Sequence, residues 1–558
     1  MRERTEEGMR SDKGGDALMG IDDACRERTS TESHSAASYR HRTELLRNDS
    51  MNLCWSYATT RPYTPGMRHV MRTGDGADGA DAFLYERIAD ELGSMVTKGA
   101  LRAGDRLPSV RRLSEERGVS VATVLAAYLL LEGRGVAEAR PKSGHYVRAR
   151  RAADPPVPSV PRRAPSPARV SIAAGADDLI RAMIQDRGLV PLGTANVAAE
   201  LLPLRKLNAA LAAVAREGGG PGGSYDELRG NLQLRRQLAR RAVAWGAFLE
   251  EDDFVTTVGA TEALNLSLRA VTKPGDIIAV ESPAYFGLLR LVEVHGLRAI
   301  EIPSDPRTGL DLDALEDAVR GAPVRAVLAT PNFSNPLGAR MPDENKERLV
   351  KMLTRRDVPL IEDDVYGDLA FDGTRPRPAK AFDTAGIVML CGSVSKTLAP
   401  GYRVGWVAPG KYRDAVEKLK FAHSVSSPTP TQMAVAEFLA EGGYDRHVRH
   451  LRRVLAAQSS LYREAIARHF PEGTRVSRPQ GGFVVWVELG EETLGSGGRR
   501  VSAVDLQLRA LDRGIAIAPG TIFSARQRFG HCIRISTGHP WSPRIERAIA
   551  TLGQLARE

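Results

Sequence analysis

The chain has 558 residues, 42% hydrophobic and 26% charged, with a formal net charge of +10. That length and balance suit a globular protein of two or more domains, and the basic excess is compatible with a nucleic-acid partner. Its four cysteines, Cys25, Cys54, Cys391 and Cys532, are too scattered for a disulfide framework or a zinc site. No stretch approaches the ~18 uncharged apolar residues of a membrane span, and the arginine-rich start lacks the apolar core of a secretory signal. We expect a cytoplasmic protein with no membrane contact.

Residues 1–80 are polar, rich in Arg, Ser, Thr, Asp and Gly, and without sustained periodicity. They read as a disordered tail, with Met67 and Met71 as alternative starts. A compact module follows over 81–150. Leu84, Ile88, Leu92, Met95 and Val96 recur at helical spacing. The stretch from Gly99 to Pro108 breaks that helix, and a short one follows over Ser109 to Arg117. After a turn at Gly118, Ser120 is placed to cap a helix from Val121 to Glu132, with Val124, Ala127, Tyr128 and Leu131 inward. Two helices joined by a glycine-bearing turn form a helix-turn-helix, and Val136 to Val147 reads as a hairpin turning at Ser143-Gly144. The same spacing fits a small helical bundle that touches no nucleic acid.

The segments Leu84-Tyr-Glu-Arg-Ile-Ala-Asp-Glu-Leu92, Gly104-Asp-Arg-Leu-Pro-Ser-Val-Arg111, Gly118-Val-Ser-Val-Ala-Thr-Val124 and Ala139-Arg-Pro-Lys-Ser-Gly144 resemble the winged helix-turn-helix of GntR-type regulators. The resemblance implies that Ser109, Arg111, Ser120, Thr123 and the wing residues Lys142, Ser143 and Gly144 face double-stranded DNA. One departure is Val121, where many members carry arginine. From residue 109 to 150 there are eight Lys/Arg against four Asp/Glu, so phosphate contacts should dominate the affinity and make it salt-sensitive.

Residues 151–169 hold six prolines in nineteen positions and read as an extended linker marking a domain boundary. At ~3.1 Å per residue it could span roughly 59 Å. From 170 to 558 short apolar runs such as Asp276-Ile-Ile-Ala-Val280, Ala326-Val-Leu-Ala-Thr330 and Val358-Pro-Leu-Ile361 alternate with amphipathic stretches. That alternation predicts an α/β domain with a largely parallel sheet.

Within it, Lys396 stands among small hydroxyl residues just past the apolar run ending at Leu390, with Arg403 seven positions on. A lysine so placed suits Schiff-base chemistry, with Ser393 and Arg403 near a phosphate. A solvated surface lysine is the bland alternative. If pyridoxal phosphate is the partner, its ring nitrogen needs a carboxylate, and Asp363 in Ile361-Glu-Asp-Asp-Val-Tyr366 supplies one at a strand end. Tyr366 and Asn335 would approach the phenolic oxygen. Ala260 and Thr261 follow a strand and a glycine turn, where helix N–H groups bind phosphate. Tyr285 is the candidate for the ring face.

Taken in order, these segments resemble the fold-type-I aminotransferases from about residue 191 onward. The resemblance implies a large parallel-sheet domain with a small α+β carboxy-terminal domain. It makes Lys396, Asp363 and Tyr366 the catalytic residues, and adds Tyr225, which in that family reaches the phosphate of the partner subunit. It assigns Arg534 to a substrate carboxylate and Gly193-Thr194 to the segment covering the substrate. The whole arrangement, winged helix, linker and aminotransferase-like domain, resembles the MocR-type regulators of the GntR family. Two functions follow from it. One is a homodimeric transcription regulator that senses pyridoxal phosphate or an amino compound. The other is an aminotransferase converting 2-amino to 2-oxo acids, with an accessory DNA module.

Overall fold

The computed structural model describes residues 84–102, 104–133, 135–140, 143–148, 155–158, 166–169, 180–181, 188–216, 223–490 and 502–558. The expected tail over 1–80 and the wing residue Lys142 lie outside them.

The helix Leu84–Thr97 buries Ile88, Ala89 and Leu92, while Leu84 and Met95, expected inward, are 50% and 41% exposed near its two ends. Next comes Val110–Arg117, whose cap Ser109 accepts a hydrogen bond from the Arg112 amide. Gly118 ends it in the left-handed region at φ 61°, where a side chain would be strained. Ser120 then accepts from the Thr123 amide at 3.1 Å, starting the helix Val121–Gly133. Its inward face, Val124, Ala127, Tyr128 and Leu131, is at most 1% exposed. Each fully buried Val or Leu there contributes ~1.5–3 kcal/mol to the packing of the three helices. The Tyr128 hydroxyl donates to the Pro108 carbonyl at 2.7 Å, tying this helix to the segment ahead of Val110–Arg117. Strands Ala137–Arg140 and Gly144–Val147 pair antiparallel and complete a winged helix-turn-helix.

The proline-rich stretch is anchored at its described ends, not free-standing. The Pro156 carbonyl accepts from the Val476 amide at 2.8 Å, and the Pro155 carbonyl accepts from Arg478 at 3.1 Å. Pro167–Arg169, expected as linker, forms an edge strand of the large sheet. Backbone hydrogen bonding to an open sheet edge satisfies groups that an isolated extended segment leaves to water.

The large sheet is mixed. Its spatial order is Pro167–Arg169, Arg298–Asp305, Ile277–Ser282, Val324–Ala329, Leu360–Asp363, Val388–Ser393, Val404–Ala408 and Val255–Val258, with Gly309–Leu310 paired to Arg298–Asp305. The strands from Arg298–Asp305 through Val388–Ser393 run parallel and are largely buried on both faces, with apolar runs such as Ile277-Ile-Ala-Val280 and Ala326-Val-Leu-Ala329 at their centres. Val404–Ala408 runs against them. A smaller antiparallel sheet orders Arg475–Val476, Val484–Glu488, Cys532–Ser536 and Ala518–Pro519. The long helix Gly443–His469 belongs to this region and also lies against Val121–Gly133 of the winged helix. Arg148 and Glu464 approach to 3.7 Å across that contact. Among the described residues no helix is long and apolar enough to cross a membrane.

Candidate functional site

A cavity of about 280 Å³ opens where the parallel strands end and the smaller sheet meets them. Open α/β sheets place ligands beyond the carboxyl ends of their strands, because loops and helix N-termini converge there. Asp363 and Ser393 are the last residues of adjacent parallel strands; the register pairs Asp363 with Cys391, so Ser393 lies two residues further along on the same face of the sheet.

Lys396 lies in the turn after Val388–Ser393 and points into this cavity. Its Nζ donates to the Ala195 carbonyl at 2.8 Å and lies 3.5 Å from Asn196 Oδ1. Burial, then Arg534 and Arg403, push the ammonium down to about 8, against the pull of Asp363. Roughly a quarter of such a lysine is neutral at pH 7.5, against about a thousandth for an ordinary one, which makes it a usable nucleophile.

The three consecutive acids at the end of Leu360–Asp363 have three different surroundings. Glu362 accepts from the amides of Ala379 and Lys380 at 2.6 and 2.9 Å. Asp364 is held by Asn332 at 2.9 Å and by the Arg375 guanidinium, which also reaches Asp368. Asp363 alone of the three lines the cavity, and its buried Oδ1 has no hydrogen-bond partner. Burial, with Asp364 beside it, raises Asp363 to about 7. An unmatched buried acceptor costs about 1–3 kcal/mol, so a ligand N–H here would meet a strong demand.

Opposite, Asn335 Nδ2 donates to the Tyr366 hydroxyl at 3.4 Å, and its Oδ1 accepts from Arg534 Nη1 at 3.2 Å. Arg534 sits mid-strand in Cys532–Ser536, fully buried, and Nη2 donates to the Gly193 carbonyl. Burial lowers it to about 10, with Tyr366 and Tyr285 opposing, so it stays cationic at neutral pH. Its Nε has no partner. Tyr285 lines the cavity half-buried, and Gly287 makes room for its ring, since a Cβ there would lie 2.5 Å from Cε1.

At the other end, Ala260 and Thr261 begin the helix Gly259–Val271 and face the cavity with Ser393, Ser395 and Arg403. Arg403 Nη2 donates to the Val258 carbonyl at 3.1 Å and passes over Gly259, where a Cβ would lie 2.3 Å from it. Helix amides, hydroxyls and a guanidinium so gathered suit a phosphate. The unmatched Asp363 oxygen, the low lysine and this cradle all fit pyridoxal phosphate.

Thus Lys396, Asp363, Tyr366, Asn335, Ser393, Arg403, Ala260, Thr261, Tyr285, Thr194 and Arg534 share one cavity, with Gly193 bonded to Arg534 at its wall. Tyr225 does not join them and is 82% exposed. Sequence reasoning missed Ser395, Ala195 and Asn196. The first was legible in the Ser-Val-Ser-Lys run, but nothing local to residues 195 and 196 marked them as neighbours of Lys396.

On the winged helix, Ser109, Arg111 and Ser120 are exposed and Thr123 is half-buried. Ser143 shares a 2.6 Å hydrogen bond with the Tyr146 hydroxyl, and Gly144 is exposed at φ 111°. The exposed Arg106, not anticipated, lies against Gly144 and adds charge to the wing.

Fold and site together define a pyridoxal phosphate protein of the fold-type-I class joined to a winged helix. The aminotransferase class I and II family matches residues 193–552, and the bacterial regulatory proteins of the gntR family match residues 84–147. The chain is 38% identical to the HTH-type transcriptional regulator YjiR of Escherichia coli over 84% of this chain and 98% of that protein. It is 28% identical to MocR of Rhizobium meliloti over 72% of this chain and 81% of that one. Among solved structures it is similar to LysN, the alpha-aminoadipate aminotransferase of Thermus thermophilus, complexed with N-(5'-phosphopyridoxyl)-L-leucine. That likeness has 27% identity and TM-score 0.61, covering 70% of this chain and 95% of LysN. The chain belongs to the MocR-type regulators of the GntR family.

Proposed function

We propose that this protein is a DNA-binding transcription regulator whose aminotransferase-like domain senses pyridoxal phosphate, or an amino compound that reacts with it, in the cytoplasm. Bound in the cavity, the cofactor supplies an electrophilic carbonyl carbon and an electron-accepting ring. Lys396 would hold its carbonyl carbon, and Asp363 would keep the ring nitrogen protonated. Tyr366 and Asn335 take the phenolic oxygen, and Tyr285 covers the ring. Ala260, Thr261, Ser393 and Arg403 hold the phosphate. Arg534 takes an effector carboxylate with a planar two-pronged geometry, and Gly193 and Thr194 cover it. In a homodimer, the exposed Tyr225 would complete the phosphate site of the other subunit. Ser109, Arg111, Ser120, Thr123, Ser143 and Gly144 face the operator, and the sequence resemblance adds Lys142, which lies outside the described residues.

The observation that favours regulation over an enzyme with an accessory module is the packing of Gly443–His469 on Val121–Gly133. The same helix supports the small domain that carries Arg534 and the helix that reads DNA. A ligand shifts only an equilibrium between states it binds differently, and such a contact has two sides to bias. The test measures affinity for a duplex the protein selects from a random pool, with and without pyridoxal phosphate, then cofactor affinity with and without that duplex. By linkage the two factors must be equal, on the order of 5- to 150-fold for ordinary coupling. No change in either, with brisk transamination of an ordinary amino acid, would favour the enzyme reading.

A further inference from the structure

The helix Val121–Gly133 contains no Arg, Lys, Asn or Gln. Those are the side chains that bond guanine and adenine edges bidentately in the major groove. Its one acid, Glu132, lies at the far end and pairs with His145 at 3.4 Å. Tyr128 is buried with its hydroxyl bonded to Pro108, which removes it as well. At the start of the helix the Ser120 and Thr123 hydroxyls are 2.8 Å apart and bonded to each other, and Ser120 also caps the Thr123 amide. What the first two turns present outward is apolar. Val121 is 47% exposed, Leu125 is 42% exposed, and Ala122 is exposed beside them.

The same module exposes Arg106, against the wing, and Arg111, on the preceding helix, and an apolar helix face in that setting calls for a polyanionic partner with apolar points on it. In the major groove only an A·T pair offers such a point, the 5-methyl group of thymine. In helix-turn-helix proteins the amino-terminal residues of this helix meet the base edges. We propose that Val121, Ala122 and Leu125 make this chain specify its operator through thymine 5-methyl groups, with the arginines confined to phosphates. The inference rests on the DNA-binding reading and adds what is read.

The full-length protein is used to select duplexes from a random pool, and thymines of the selected half-sites are then replaced singly by deoxyuridine, which removes only the methyl. Burial of one such group corresponds to about fourfold in affinity, so about 15-fold for two symmetric positions. We expect an invariant T·A pair in each half-site, a loss of that size with deoxyuridine, and no such loss in Val121→Ala. Because Val121 is exposed, that variant keeps the fold, which far-ultraviolet circular dichroism checks. Val121→Arg should move the selected base toward guanine. Half-sites without an invariant thymine, or deoxyuridine duplexes bound as tightly as the originals, overturn the proposal while leaving DNA binding intact. Failure to retain any duplex at low salt overturns the regulator reading itself and this proposal with it.

Discussion

Replacing Asp363 by asparagine tests the site through stability as well as through binding. Burial and the nearby Asp364 carry this carboxyl from an ordinary 3.8 to about 7, although Lys396 pulls it back. A carboxyl whose folded pKa exceeds its unfolded one takes up a proton on folding. Its contribution is therefore fully present below pH ~3.8 and is lost as pH rises through about 7. At ~1.4 kcal/mol per unit, the handicap reaches about 4 kcal/mol at pH 8 and only about 2 kcal/mol at pH 5.5. Asparagine keeps the shape without the charge. The cofactor-free Asp363→Asn protein should thus unfold at a higher temperature than wild type, by more at pH 8.5 than at pH 5.5. Pyridoxal phosphate should reverse the ranking, since its protonated ring nitrogen gives the wild-type carboxylate the partner it lacks. Thermal unfolding of both proteins at the two pH values, with and without cofactor, decides the matter. A cofactor-free variant that melts below wild type at pH 8.5 would refute the buried-charge argument. An equal cofactor-induced rise in both proteins would refute the pairing.

Lys396→Ala should lose the yellow, borohydride-sensitive absorption of the loaded protein, and a variant that keeps it would move the attachment elsewhere. Gly259→Ala should weaken cofactor binding at least tenfold, because its Cβ would lie 2.3 Å from Arg403 Nη2 in a backbone at φ 75°. Cofactor fluorescence titration reads that loss, and unchanged affinity would contradict the proposed cradle. Arg534→Lys keeps the charge but not the fork, so spectral titration with amino acids should show about 10- to 100-fold weaker binding. Arg111→Ala should weaken DNA binding across sequences and reduce the salt slope by about one, as for a single phosphate contact.

The order of motifs along the chain was enough to foresee two domains of different kinds, because each motif is local. Helical spacing identified Val124, Ala127, Tyr128 and Leu131 as the inward face of their helix, and all four are buried. Strand endings likewise placed Asp363 at the end of one strand and the lysine turn just past the end of another. Three consecutive acids, however, look alike in sequence. Only the fold gives Asp364 to Arg375 and Glu362 to two amides, leaving one oxygen of Asp363 unmatched. The holders of Lys396 and Arg534 lie 201 and 341 residues away, at Ala195 and Gly193, and no periodicity reports a contact of that separation. Periodicity tells which face of an element is buried, but not which element covers it, nor where cover ends. That is why Leu84 and Met95 are exposed, and why the last residues of a proline-rich linker became a strand once a sheet edge offered them hydrogen bonds. Side-chain chemistry named the cofactor, and the close approach of distant segments decided which of those side chains is left waiting for it.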